Sequence, residues 1–288
     1  MKIFIDGEYG TAGLHLSERI KTVKGAELLS LSPCDKKDKE KRGKLLNEAD
    51  FVFLCLPDNA AAESAGMVEN PKTVIIDCST AHRTAWTYGF PELDKKFRDE
   101  IAVSNRISNP GCHATGFCAI VYPLVKHGLL LPDQTVYSYS LTGYSGGGRE
   151  KIAEYEDGNI RGASIYSLEM QHKHLAEMQK VCGLKNPPLF SPVIVDVPRG
   201  MLVSAMLKLA AEHVYEVLRN HYEHTGIDVQ FANGLKQLDM QGLNDSNKLI
   251  IYVSGNKTQA FAVSQMDNLG KGASGAAVQN FKIRMGVE

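Results

Sequence analysis

Apolar and polar positions change their period along this chain. In the first half, short apolar runs alternate with helical stretches. Lys2 to Asp6 reads as a strand, and Thr11 to Lys21 as a helix with Leu14 and Ile20 facing inward. Ala26 to Leu31 is a second strand, and the charge run Lys36 to Arg42 reads as a solvated helix face or loop. Phe51 to Leu56 is almost continuously apolar, as a strand buried on both faces is. Pro57-Asp58-Asn59 ends it and caps an Ala-rich helix, Ala60 to Val68; Thr73 to Asp77 is another buried strand. This βαβ alternation predicts a parallel sheet with helices on both faces.

The second half changes character. Thr135 to Leu141 alternates apolar and polar residues, the pattern of a strand solvated on one face. Met201 to Leu209, Leu249 to Val253 and Ala260 to Val263 are also strand-like, and His213 to His224 has helical periodicity. These predict an α+β domain with a mixed, mainly antiparallel sheet and helices on one side. Asn268 to Phe281 is rich in Gly and Ala and reads as a helix packed closely against another helix or a ligand.

Composition narrows the class. Hydrophobic residues make up 43% and charged residues 23% of the 288, the mix of a globular protein. The formal net charge of −1 leaves no electrostatic footprint for nucleic acid or an acidic membrane surface. No apolar run reaches the length of a membrane-spanning helix, and Lys2-Ile3-Phe4-Ile5 follows no signal-peptide pattern. Six cysteines are scattered singly without a CxxC pair, which argues against a disulfide framework or zinc knuckle and for a reducing cytoplasm. The expected partner is a small-molecule substrate, with no nucleic acid, membrane or metal.

Candidate chemistry begins at Gly7-Glu8-Tyr9-Gly10-Thr11-Ala12-Gly13, between the first strand and first helix. Gly7 permits a tight turn, Gly10 lets backbone approach a pyrophosphate, and Gly13 lets helix and strand pack closely. The helix N-terminus then offers N–H groups to the anion. The spacing is GxxGxxG rather than GxGxxG, so an ordinary glycine-rich turn is the competing reading. Where NAD sites keep an acid, the second strand ends Leu29-Ser30-Leu31-Ser32-Pro33, followed by Lys36 and Lys37. Hydroxyls and cations suit a 2′-phosphate, so NADP is the expected cofactor, although Asp35 places an acid nearby.

Ser108-Asn109-Pro110-Gly111-Cys112-His113 is the most informative stretch. Asn-Pro-Gly forces a turn, and Ala114 to Lys126 then reads as a helix interrupted by Pro123. Cys112 therefore sits at a helix N-terminus, where the macrodipole favours the thiolate, the form that attacks a carbonyl. The other five cysteines read as strand, helix or turn residues. Gln171-His172-Lys173-His174 offers two proton partners; on a helix, residues two apart do not share a face, so one would enter the site and the other would not. Gly143-Tyr144-Ser145-Gly146-Gly147-Gly148-Arg149 follows a strand and reads either as a ligand-wrapping loop or as a flexible one.

Taken together, these segments resemble the N-acetyl-γ-glutamyl-phosphate reductase family in its shorter-chain, type 2 subfamily, over nearly the whole chain. Ser108 to Cys112 resembles its active-site motif. Asp77-Cys78-Ser79-Thr80-Ala81-His82-Arg83 and Phe90-Pro91-Glu92-Leu93 look like its segments ahead of the nucleophile. Ser145 to Arg149, His172-Lys173-His174 with Glu177, Pro198-Arg199-Gly200, and Asp267 to Ala273 with Gly275 are similar to its later motifs. Glu8 beside a phosphate site and Ala176 in place of a common proline are departures.

The resemblance implies a Rossmann-type dinucleotide-binding domain, 1–112 with 266–288, and a catalytic and oligomerisation domain, 113–265. It implies NADPH-dependent reduction of an acyl phosphate through a Cys112 thioester, in arginine biosynthesis, and a homo-oligomer, dimer or tetramer. His172 is the implied proton-transfer residue, with His174 as the second choice. Arg199 is the implied ligand of the substrate carboxylate or phosphate, with Arg83, His174, Ser145 and Gly146 also on the substrate side. Gly7, Gly10, Thr11, Ala12, Gly13, Ser32, Pro57, Ser79 and Asn268 are expected near the cofactor. Reduction of an aspartyl or aminoadipyl phosphate, and a non-catalytic NADP-sensing regulator, are the alternatives.

Overall fold

The computed structural model describes residues 1–232 and 234–287. The chain forms two compact units, Met1–Pro110 with Ala273–Glu288, and Gly111–Gly272. The sequence placed Cys112 and the segment from residue 266 in the first unit; both Cys112 and residues 266–272 belong to the second.

In the first unit the elements run β1 (Lys2–Asp6), α1 (Thr11–Lys21), β2 (Glu27–Leu29), α2 (Lys39–Glu48), β3 (Phe51–Leu54), α3 (Asp58–Gly66), β4 (Val74–Asp77), β5 (Thr87–Tyr88), α4 (Lys95–Val103) and β6 (Arg106–Ser108). The six strands form one parallel sheet in the order β2-β1-β3-β4-β6-β5. Alternate strand residues serve opposite faces: Ile3, Ile5, Phe51 and Phe53 pack into one core, and Phe4, Val52, Leu54 and Ile75 into the other. Helix α1 buries Leu16 and Ile20, while Leu14, expected inward, is exposed, because the helix presents its 16 and 20 positions to the sheet. Of the two readings of the charge run, its second half is helical: Asp38 caps α2 by accepting from the Glu40 and Lys41 amides.

The second unit begins with α5 (Cys112–Lys126), then β7 (Tyr137–Gly143), α6 (Gly148–Glu156), β8 (Ser164–Ile165), α7 (Leu175–Cys182), β9 (Leu189–Val195), β10 (Met201–Leu207), α8 (Ala211–Tyr222), β11 (Asp228–Phe231), β12 (Leu249–Gly255) and β13 (Ala260–Met266). Its seven strands run β11-β12-β13-β10-β7-β9-β8. The β11–β12 and β7–β9 pairs are parallel and the other four antiparallel, so the sheet is mixed. Helix α5 lies on one face at close range: a Cβ on Gly116 would meet Ser264 Oγ at 2.5 Å and Val203 Cγ2 at 2.6 Å.

Strand β7 is solvated on one face, as its alternation predicts, and the structure adds which face that is. Its period-two alternation is as read, but the polar face is the buried one. Ser138 and Ser140 point inward, whereas Tyr137 and Tyr139 are exposed. Of the inward serines, Ser140 meets a polar partner described below, whereas the Ser138 hydroxyl is buried without a hydrogen-bond partner; the outer face carries aromatic and apolar side chains.

After a π-helical turn at Gly270–Ser274, helix α9 (Gly275–Arg284) completes the first unit. Its Phe281 is fully buried, 4.7 Å from the Phe51 ring centroid in an edge-on arrangement and 5.9 Å from that of Phe53. Phe281→Ala is expected to lower stability by about 3–5 kcal/mol, the cost of an aromatic deleted from a packed core, as measured by urea unfolding.

Candidate active site

Within the second unit, the turn before α5 presents Cys112 as the first helical residue, partly buried. Gly111 caps the helix in extended conformation, and its N–H donates to Glu177 Oε1 at 2.9 Å. Glu177 lies on α7 and is 1% exposed, so a buried carboxylate ties α7 to the start of α5. The π-helical turn closes the other side. A Cβ on Gly272 would lie 2.9 Å from Cys112 Cβ, so only glycine leaves the cysteine its space.

Beside Cys112 lies a buried chain of rings that the sequence did not anticipate. His113 is held by Ser140 Oγ at Nδ1 (2.6 Å) and by Tyr166 Oη at Nε2 (2.8 Å). Tyr166 Oη is also 3.3 Å from His172 Nε2, and the His174 amide donates to His172 Nδ1 at 3.1 Å. One fixed donor orders the rest. An amide N–H only donates, so His172 Nδ1 is an acceptor and a neutral His172 carries its proton on Nε2. Nε2–H then donates to Tyr166, Tyr166 donates to His113 Nε2, and His113 keeps its proton on Nδ1, facing Ser140. Burial, then the charges of His172 and Lys173, push the His113 pKa down to about 3. Burial, then the negative charge of Cys112, push the Tyr166 phenol well above its ordinary range. The loop carrying Tyr166 holds two non-glycine residues in left-handed conformation, Ser167 (φ 54°) and Met170 (φ 59°), each costing on the order of 1 kcal/mol.

The histidine expectation is corrected here. Helix α7 starts only at Leu175, so His172 and His174 precede it and the rule against residues two apart does not apply. Both are buried, with ring centroids 4.7 Å apart. The signals that were missed are short ones: His113 adjoins Cys112, and Ser140 lies on the polar face of an alternating strand.

Further residues of the second unit gather at the turn Tyr144–Gly147, which is 3₁₀-helical. Asn268 Nδ2 donates to Ser145 Oγ at 3.0 Å, and Asn268 Oδ1 accepts from the Gly200 amide at 3.0 Å. A Cβ on Gly146 would touch Asn268 Nδ2 and Thr142 Oγ1 at 3.4 Å. A Cβ on Gly143 would meet the Arg199 backbone at 2.6 Å, which sets Arg199 beside this turn. The Arg199 guanidinium pairs with Asp245 and, at 2.5 Å, with buried Asp267, while its Nε is buried without a partner.

In the first unit, Gly7 has φ +94°, and a Cβ there would strike the Cys55 carbonyl oxygen at 2.3 Å. A Cβ on Gly13 would strike the Gly7 oxygen at 2.2 Å. This is a tight βα turn at the β1/β3 switch point of strand order, with Thr11 and Ala12 opening α1. Pro57 caps α3, and Ser79 is held by Asp77 through its amide (2.8 Å) and hydroxyl (2.9 Å). Arg83 donates to the carbonyls of Asn109 (3.1 Å) and Cys78 (3.2 Å) within the first unit. Ser32 donates to Asp35. Among the described residues no group of three or more His, Cys, Asp or Glu is placed to hold a metal ion.

Both units match family models of one class. Residues 3–102 match the semialdehyde dehydrogenase NAD binding domain, and 112–268 the semialdehyde dehydrogenase dimerisation domain. Aspartate semialdehyde dehydrogenase II from Vibrio cholerae has the same fold, with a TM-score of 0.74 at 16% identity over 99% of this chain and 98% of that one. The Candida albicans enzyme solved with NADP gives 0.66 at 16% identity, covering 98% and 97%. Sequence relatives are nearer. N-acetyl-gamma-glutamyl-phosphate reductase 2 of Pseudomonas putida is 39% identical over 99% of this chain and 96% of its own length. The reductase of a Chelativorans species is 40% identical over 99% and 98%. The chain belongs to the N-acetyl-gamma-glutamyl-phosphate reductase family of semialdehyde dehydrogenases.

The depressed His113 has a stability consequence. Its folded pKa, about 3, lies below the ordinary histidine value, so only the unfolded chain takes up this proton between roughly pH 6.5 and 3. Stability from this group is full above pH 6.5 and falls by up to about 1.4 kcal/mol per pH unit as pH drops through that window. In urea titrations at pH 7, 6 and 5, His113→Gln is expected to be less stable than wild type at pH 7 and to show a correspondingly shallower loss on acidification.

Proposed function

We propose that the chain reduces N-acetyl-L-glutamyl 5-phosphate to N-acetyl-L-glutamate 5-semialdehyde and phosphate with NADPH, in arginine biosynthesis. The near-full-length identity to reductases of that name carries the reading, and a cysteine at a helix start beside an ordered histidine relay supports it. The Cys112 sulfur forms a bond to the acyl carbon. The carbon–oxygen bond to phosphate breaks, and phosphate leaves with the electron pair. Bound NADPH supplies the hydride that reduces the thioester. When the carbon–sulfur bond breaks, the sulfur leaves with its electron pair and the product is the aldehyde.

The donor geometry favours His172 over His174 for proton transfer, since its movable proton sits on Nε2 against Tyr166, whose phenol senses the Cys112 charge. General acid–base help of this kind contributes about 10² to 10⁴ in rate. Arg199 receives the substrate's anionic group. The Asp245 side chain is 79% exposed and exchangeable for that group, whereas buried Asp267 keeps the guanidinium aimed. Ser145 and Gly146 line the same turn. The glycine turn fits a dinucleotide because its crowded Cβ positions leave backbone N–H groups open to pyrophosphate. Gly7, Gly10, Thr11, Ala12 and Gly13 would hold it, with Ser32, Pro57 and Ser79 at strand ends. Asn268 has both ends of its amide engaged, so its part there is to brace Ser145 and Gly200.

No described helix is long and apolar enough to cross a membrane, and cysteines left as thiols suit the cytoplasm. A second copy of the chain covers the outer face of the second-unit sheet, where Tyr137, Tyr139, Leu189 and Met206 are exposed in the segment that matches a dimerisation domain.

Two measurements test this. Purified protein given NADP and phosphate should oxidise N-acetyl-glutamate semialdehyde far faster than aspartate semialdehyde, and Cys112→Ser should lower that rate by about 10³-fold or more; equal rates on both aldehydes, or an active serine variant, would overturn the assignment. In sedimentation, wild type should run as a dimer or tetramer and Tyr139→Glu with Met206→Glu as a monomer.

A further inference from the structure

Glu8 is an acid inside the glycine turn, and both oxygens of its carboxylate are engaged. Oε1 accepts from the Ser17 hydroxyl at 3.0 Å, and Oε2 from the Ser30 hydroxyl at 3.1 Å. Ser17 is buried on α1, and Ser30 directly follows β2. Tyr9 Oη donates to the Leu31 carbonyl at 2.8 Å, fastening the turn to the same stretch. The end of β2 is where a dinucleotide site keeps the acid that binds the adenosine ribose. This chain has no acid between Leu29 and Pro33; Glu8 delivers one there from the turn.

The sequence had assigned the hydroxyls after β2 to a 2′-phosphate. An ionised carboxylate only accepts, so Ser30 donates to Glu8, and Ser32 donates to Asp35 at 3.0 Å. The other Asp35 oxygen holds Lys41 at 2.7 Å. Both serines are thus directed at carboxylates, and only the exposed Lys36 and Lys37 still favour a phosphate. A carboxylate has about four acceptor positions, so Glu8 has capacity beyond its two serine bonds.

We propose that Glu8 reads the 2′ position of the cofactor's adenosine ribose, accepting a hydrogen bond from a 2′-hydroxyl and repelling a 2′-phosphate, so that the chain binds NAD(H) alongside NADP(H). This rests on the dinucleotide reading given above. Glu8 acts on binding only and takes no part in the chemistry.

The test is calorimetric titration of the full chain with NAD+ and with NADP+, in wild type and Glu8→Gln. Glutamine keeps the size of the side chain and an acceptor for one serine, and a thermal melt checks folding. Wild type should bind the two dinucleotides within about tenfold of each other. Removing the charge should tighten NADP+ by about fivefold or more, the size of one unit charge at short range in water, without tightening NAD+. A wild-type preference for NADP+ above about a hundredfold, or an E8Q ratio equal to wild type, overturns the role of Glu8 while leaving the cofactor reading intact. If neither dinucleotide binds wild type at millimolar concentration, the cofactor reading falls and the proposal with it.

Discussion

The second unit is organised around one hydrogen bond, from the Gly111 amide to the buried Glu177 carboxylate. Gly111 caps the helix that starts with Cys112, and Glu177 lies in the first turn of the helix capped by His174. The bond therefore fixes the helix that Cys112 opens against the histidine turn. A buried carboxylate needs strong donors, and an amide at a helix N-terminus, where the macrodipole is positive, is a favourable one. Loss of the acid would leave that amide unsatisfied and free the two helices to shift, which is why a residue remote from bond making carries so much of the geometry.

Given that placement, the relay has a direction. The His174 amide can only donate, and every ring proton downstream follows from that, ending at Ser140. Burial keeps His113 neutral, as its part of the chain requires. The left-handed Ser167 and Met170, both just after Tyr166 in its loop, are the local cost of bringing a phenol between two imidazoles. The residues that follow, Leu168 to Gln171, are exposed, so the loop is held inward at Tyr166, by its contacts to two rings.

Much of this was legible in the chain. The parallel sheet followed from apolar runs, and the cysteine from its Asn-Pro-Gly turn and helix. The substrate-side motifs followed only from resemblance. What the sequence hid was long-range or conditional. Tyr166 lies between motifs with no pattern to mark it. The histidine pair was misjudged because the helix begins one residue after His174, and boundaries of that kind depend on packing rather than propensity. Ser32 was assigned to a phosphate from its residue type alone, and its actual acceptor, Asp35, lies three residues on. Residue types after β2 were informative, but the partners their hydroxyls chose were not.

Strand β7 shows how site and assembly constrain each other. Its alternation was visible, but alternation alone does not say which face is inside. The usual choice buries the tyrosines. Here Ser140 must meet His113, and that single contact turns the polar face inward and the tyrosines out. A slip of one residue would exchange every side chain across the sheet, removing the acceptor for the His113 proton and pressing a phenol into the space under α5. The aromatic outer face is then a consequence of the polar contact inside: with Ser140 against His113, Tyr137 and Tyr139 are left on the exposed side. The register of β7 is specified from both sides at once.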